Sequence, residues 1–98
     1  RAYLGLVSTP ARLTPAQAER YGQRSALRVV EVVERSPAAR SGLLAGDLVL
    51  AIDGAPLGDA QSLQKRLFTD AIGQRMEVTV IRNGALVDAV VLPSELPD

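Results

Sequence analysis

Asn83-Gly84 lies between two apolar-patterned runs, Met76 to Arg82 and Ala85 to Leu92, and no other feature constrains the fold of this chain as strongly. Both central residues of a tight hairpin turn need positive φ, which Asn and Gly tolerate. The two runs are therefore expected to fold back on each other. Similar punctuation recurs upstream. Leu48 to Ile52 has no polar alternation and is followed by Asp53-Gly54, so it reads as a buried strand ending in a turn. Leu27 to Glu34 (LRVVEVVE) is Val-rich and apolar on both faces, the pattern of a buried central strand. Tyr3 to Ser8 is a short strand candidate stopped by Pro10, which has no N–H to give a ladder.

Helices are signalled by their ends. Thr14 is a good N-cap, Pro15 suits the first helical position, Gln17 completes a capping box and Gly22 supplies the stop, so Thr14 to Tyr21 reads as a short helix. Ser36-Pro37 repeats the cap-then-Pro logic over one or two turns to Gly42. Asp59 can cap a third helix over Ala60 to Thr69, with Leu63 and Leu67 one turn apart on one face. The tail from Pro93 carries two prolines and reads as frayed. Helices intervene between the strands, so strands cannot pair only with sequence neighbours. The class is α+β, mainly β: a partly open β-barrel or sandwich closed by short helices. With 98 residues and no interdomain linker, the chain is expected to form one domain, with its core in 1–92 and a tail at 93–98.

Composition removes whole classes of function. Eleven basic residues balance eleven acidic ones, so no net field draws in nucleic acid or an anionic bilayer. The aromatics are Tyr3, Tyr21 and Phe68, which make no stacking platform for bases. There is no His, so no Ser-His-Asp machinery exists within these residues. There is no Cys, so disulfides and thiolate metal sites are excluded. The carboxylates are dispersed, and neither a metal nor a cofactor is indicated. No apolar run is long enough to insert in a membrane as a helix.

One segment suggests a binding site on physical grounds. In Tyr3-Leu4-Gly5-Leu6 a Gly between two Leu residues lets the backbone curl so that successive N–H groups point into one concavity. Such a nest binds an anion, and a peptide C-terminal carboxylate is a suitable guest. Arg1 is near enough in sequence to add positive potential. A peptide entering there can extend along Leu6, Val7 and Ser8 as an added strand, with alternate side chains meeting pockets.

Taken in order, Tyr3-Leu4-Gly5-Leu6, then SPAARSGLLAGDLVLAIDG over 36–54, then the capped helix and the closing hairpin resemble a PDZ domain of the bacterial kind attached to HtrA/Deg-type serine proteases. The resemblance covers nearly the whole chain. It implies a PDZ-like, partly open five- to six-stranded β-barrel or sandwich capped by two or three short helices, in the circularly permuted bacterial topology. It assigns carboxylate capture to the amides around Leu4, Gly5 and Leu6. Ala60, Gln64 and Leu67 are expected to face the peptide, with Leu63 toward the core. Leu4, Leu6 and Leu67 would line the pocket for an apolar last residue. Family members that favour Ser or Thr two residues before the end carry His at the helix start. Ala60 stands there in this chain, which implies weak selectivity.

The implied partners are the C-termini of unfolded or substrate proteins and the protease domain of a parent chain. The implied parent is extracytoplasmic, in the cell envelope or periplasm, free or membrane-anchored. A second reading is a scaffold or assembly module of another bacterial membrane or processing protease, or of secretion machinery. A third rests on Ser62-Leu63-Gln64-Lys65, which matches the spacing of Ser-Lys nucleophilic enzymes, although the companion motifs of that class are missing.

Overall fold

The computed structural model describes residues 1–97. The elements are β1 (Ala2–Tyr3), β2 (Leu6–Arg12), α1 (Pro15–Tyr21), β3 (Ser25–Val32), α2 (Pro37–Ser41), β4 (Leu48–Ile52), β5 (Ala55–Pro56), α3 (Ala60–Gln64), a 3-10 turn (Thr69–Ala71), β6 (Met76–Arg82), β7 (Ala85–Val91) and β8 (Ser94–Glu95). Five strands form an antiparallel path β2-β3-β4-β6-β7, and β5 pairs with β4 beside it. The sheet does not close into a barrel, so β2 and β7 remain edge strands. A separate two-stranded ribbon joins β1 to β8.

Local chemistry explains most boundaries. The Thr14 hydroxyl accepts from the Gln17 N–H at 3.1 Å, and the Gln17 side chain accepts from the Thr14 N–H at 3.0 Å, a closed capping box. Asn83 and Gly84 have φ of 51° and 78°, as a two-residue hairpin turn requires, and Arg82 faces Ala85 across it. β4 lacks polar alternation because it serves two cores. Val49 and Ile52 join the larger cluster with Leu4, Leu27 and Val78, while Leu50 joins a smaller one with Leu13, Ala26 and Ile81, which Ala18 and Tyr21 of α1 cover.

Four expectations need correction. Pro10 does not stop the first strand: β2 runs on to Arg12, with Pro10 opposite Leu27. An edge strand tolerates Pro where its missing N–H would have faced outward. β3 is not buried throughout: Val30, the extra residue at the irregularity opposite Val7 and Ser8, and Val33 beyond the strand end are exposed. The third helix ends at Gln64 rather than Thr69, and a turn followed by the 3-10 segment takes over. The tail is tied rather than frayed. Pro93 accepts from the Gly73 N–H, Ser94–Glu95 pair with β1, and the Leu96 N–H donates to Arg1. Asp98 lies outside the described residues.

An ion pair between a buried carboxylate and a half-buried guanidinium holds the segment between α2 and β4. Asp47 is 2% exposed, and Arg82 from the hairpin grips it with Nε on Oδ1 at 2.8 Å and Nη2 on Oδ2 at 2.7 Å. The Leu44 N–H also donates to Asp47, and Arg82 reaches the Gly42 carbonyl. Burial acts to raise the Asp47 pKa, but the Arg82 hydrogen bond, the Leu44 N–H and the Arg82 charge outweigh it and hold the carboxyl below its ordinary value.

Candidate functional site

The link between β1 and β2 is Leu4-Gly5. Its carbonyls are claimed from the side of α2 and β3. The Leu4 carbonyl accepts from the Ala38 N–H at 2.8 Å, and the Gly5 carbonyl accepts from the Val33 N–H at 2.8 Å and from the Ser36 hydroxyl at 3.4 Å. In a trans peptide the N–H points opposite to the preceding C=O, and no cis bond occurs among the described residues. The Gly5 and Leu6 N–H groups therefore aim away from α2 and β3. Neither the Leu4 nor the Gly5 N–H has a hydrogen-bond partner among the described residues.

Gly5 is required here twice over. Its φ is +84°, and a Cβ on it would stand 2.1 Å from the Ser36 Cβ. Ser36 is buried, caps α2 through the Ala39 N–H at 3.1 Å and lies against the curl from behind. The start of α2 is thus the back wall of the curl.

The outward groups of β2 follow from its pairing. Gly5 bonds to Val33 and Leu13 to Arg24, so the bonded positions facing β3 are Gly5, Val7, Thr9, Ala11 and Leu13. The irregularity after Val7 is taken up by an extra residue, Val30, in β3, so the alternation along β2 is kept. Leu6, Ser8, Pro10 and Arg12 therefore turn their main chains to the open edge.

Beside that edge stands α3. Asp59 caps it, accepting from the Ser62 N–H at 2.7 Å and from the Ser62 hydroxyl at 2.9 Å. These two bonds hold the Asp59 carboxyl below its ordinary pKa. No residue of α3 is buried, and Leu63 reaches the core only partly. Between β2 and α3 lies an apolar cavity lined by Leu4, Leu6, Ser8 and Leu63 over Leu27, Val49, Ile52 and Val78. Its open volume is about 10 Å³, at the lower limit for one water.

The structure thus brings Leu4, Leu6 and Ser8 together, with Tyr3 and Gly5 next to them in the curl. Val7 is turned from the cavity and exposed, with its main chain toward β3. Ala60 and Gln64 are exposed on α3, and the Arg1 guanidinium donates to the Gln64 side-chain carbonyl. Leu67 packs on the larger core beyond the helix end, and Leu63 is the α3 residue that lines the cavity. Ser36 and Ala38 position the curl, a role absent from the sequence reading. Their only sequence signal was that of a helix start, because the loop they hold lies 31 residues away in the case of Ser36 and Gly5. Ser62 is engaged in capping, and Lys65 is exposed at the helix end.

Comparison with known proteins gives a consistent picture. The family model described as "PDZ domain" matches residues 4–92. A probable periplasmic serine endoprotease, DegP-like, from Pseudomonas putida (strain W619) is 30% identical over 98 residues, covering 100% of this chain and 20% of that protein. The chain therefore spans about a fifth of the length of such curated relatives. Among solved structures, the HtrA-type protease AlgW with decapeptide superposes with a TM-score of 0.80 and 32% identity, over 100% of this chain and 30% of the other. The HtrA3 PDZ domain bound to a phage-derived ligand (FGRWV) shares the fold, with a TM-score of 0.72 and 24% identity, over 96% of this chain and 86% of the other.

Proposed function

The chain belongs to the PDZ domain family, and from that premise we propose that it is a non-catalytic module capturing the C-termini of peptides. The ligand adds a strand to the open edge of β2. Its carboxylate enters the curl of Leu4, Gly5 and Leu6 amides, and its apolar last side chain enters the cavity beside Leu63. The observation that carries this reading is the pair of N–H groups on Leu4 and Gly5 left without partners, beside an unpaired strand edge. Free N–H groups in a curled loop stabilise an anion through charge-assisted hydrogen bonds. Likeness to an HtrA-type protease solved with a decapeptide adds support.

The cavity must widen to admit a side chain. α3 buries no residue, so displacing it exposes little apolar surface and costs little. Gln64, held by Arg1, and Ala60 then flank the bound strand, and Leu67 closes the cavity end. With few main-chain bonds and an ordering cost for the peptide, affinity is micromolar, about −7 to −8 kcal/mol. The parent chain is a periplasmic or envelope serine endopeptidase of HtrA/Deg type, with its triad in another domain, as the likeness to DegP-like relatives suggests. There the module docks substrate or signal C-termini and conveys occupancy to the protease domain, which requires that the ligand favour one arrangement of the two domains.

The test is an amide-shift titration with one acetylated peptide ending in Val, as free acid and as C-terminal amide. The free acid should bind at least about tenfold more tightly, since an anion–amide bond exceeds a neutral one by about 1 kcal/mol or more and several are made. Equal response to both forms refutes carboxylate capture. The narrowness of the cavity favours one second reading, an assembly module whose groove stays closed, and the absence of any response would select it.

A further inference from the structure

Resting on the strand-addition reading above, we infer that Pro10 ends the ligand ladder, so that this module reads the main chain of only the last three residues of its ligand. The alternation along β2 sets Leu6, Ser8, Pro10 and Arg12 facing the open edge. With the ligand carboxylate at the Leu6 N–H, the Leu6 carbonyl accepts from the N–H of the last ligand residue. Ser8 then exchanges both of its main-chain bonds with the third residue from the end. The next pair falls on the fifth residue from the end, opposite Pro10. Pro has no N–H to answer that residue's carbonyl, and its ring carbon occupies the space where the hydrogen would lie.

β2 itself does not suffer, because Pro10 turns away from β3 and the bonds at Thr9 and Ala11 remain. The break is thus confined to the ligand side of one strand. The ligand carbonyl opposite Pro10 keeps its hydrogen bond only by turning to water, which peels the chain off the edge. The next outward donor, on Arg12, lies two residues further on and is separated from the ladder by that gap. The same Pro also blunts an open edge against pairing with other chains.

The experiment uses acetylated peptides of three, four, five and seven residues that end in Val and carry Ala elsewhere, so that length adds main chain only. For the unaltered protein, Kd should stay within about twofold from three residues out to seven. In Pro10→Val, whose restored N–H supplies about one net hydrogen bond, the seven-residue peptide should bind roughly fivefold more tightly than the three-residue one. The three-residue Kd should not change, because that peptide's acetyl carbonyl stands at the fourth position and points away from β2. A second measurement needs no variant: N-methylation of the fifth ligand residue from the end should cost less than about twofold, and N-methylation of the third about tenfold or more. A steady gain from three to seven residues in the unaltered protein, equal penalties for the two N-methyl groups, or no new length dependence in a folded Pro10→Val overturns the inference. If no free-acid peptide binds at all, strand addition itself fails, and this inference with it.

Discussion

Replacing Gly5 by Ala tests the back wall of the curl, and the structure provides its own control. Gly5 and Gly42 have nearly the same backbone, with φ of 84° and 89°. Ala in that left-handed region costs about 1–2 kcal/mol at either position. The two differ in space. A Cβ on Gly42 meets nothing within 4 Å, whereas one on Gly5 stands 2.1 Å from the Ser36 Cβ and 2.6 Å from its Oγ. Ordinary carbon–carbon contact is about 3.5 Å or more. Ser36 is fixed as a buried cap, so the overlap cannot be relieved by rotating a side-chain tip. Forcing a methyl into such a site costs about a further 1–3 kcal/mol. Gly42→Ala should therefore lose about 1–2 kcal/mol and Gly5→Ala about 2–5, out of a total of about 5–15 for a domain. Urea unfolding at unchanged m reads both. Ser36→Gly removes the obstructing Cβ and, as an N-cap, loses only a few tenths of a kcal/mol. Added to Gly5→Ala it should restore most of the excess loss, while Ser36→Ala, which keeps the Cβ, should not. Equal losses for Gly5→Ala and Gly42→Ala, or no rescue by Ser36→Gly, would refute the close approach of loop and helix cap.

Other consequences can be checked with the same material. The lowered pKa of Asp47 makes its contribution complete above the unfolded value near 4 and lost as pH falls through the folded value. Asp47→Asn should be less stable at neutral pH, and its deficit should shrink below about pH 4 in acid unfolding curves. A constant deficit across that range would mean that the Arg82 pairing does not set the titration. Leu63→Ala enlarges the cavity next to Leu4 and Leu6. It should weaken a Val-ended peptide and raise relative affinity for a Phe-ended one, and an unchanged Phe-to-Val ratio in competition binding would remove Leu63 from the pocket. Thr14→Ala opens the α1 capping box and should cost about 1 kcal/mol in urea unfolding while leaving peptide Kd unaltered. A shift in Kd would place α1 at the groove.

What could be read from the sequence was what neighbouring residues decide. Asn83-Gly84, the Thr14–Gln17 box and the Ser36 and Asp59 caps each concern atoms a few residues apart, and each stands in the structure where its chemistry put it. The errors arose where an outcome depended on which strand lies alongside. Pro10 looked like a strand terminator because its missing N–H counts as a loss in a central strand. On an edge the same loss falls on the outer side, and only the pairing of Leu13 with Arg24 reveals which side that is. Val30 and Val33 looked buried because β-branched residues favour strands, but burial needs something packed on the same face, and Val30 sits at an irregularity in the pairing with β2 while Val33 lies past the end of β3. The candidate site lies across the same divide. A Gly between two Leu residues shows that the backbone can curl, but not that its amides stay free. That follows from the Leu4 and Gly5 N–H groups having no partner among the described residues, while the Leu4 and Gly5 carbonyls, held by Ala38, Val33 and Ser36, turn the Gly5 and Leu6 N–H groups the other way. The helix cap at Ser36, legible on its own as a local signal, thus also helps to decide which way the amides of the curl face.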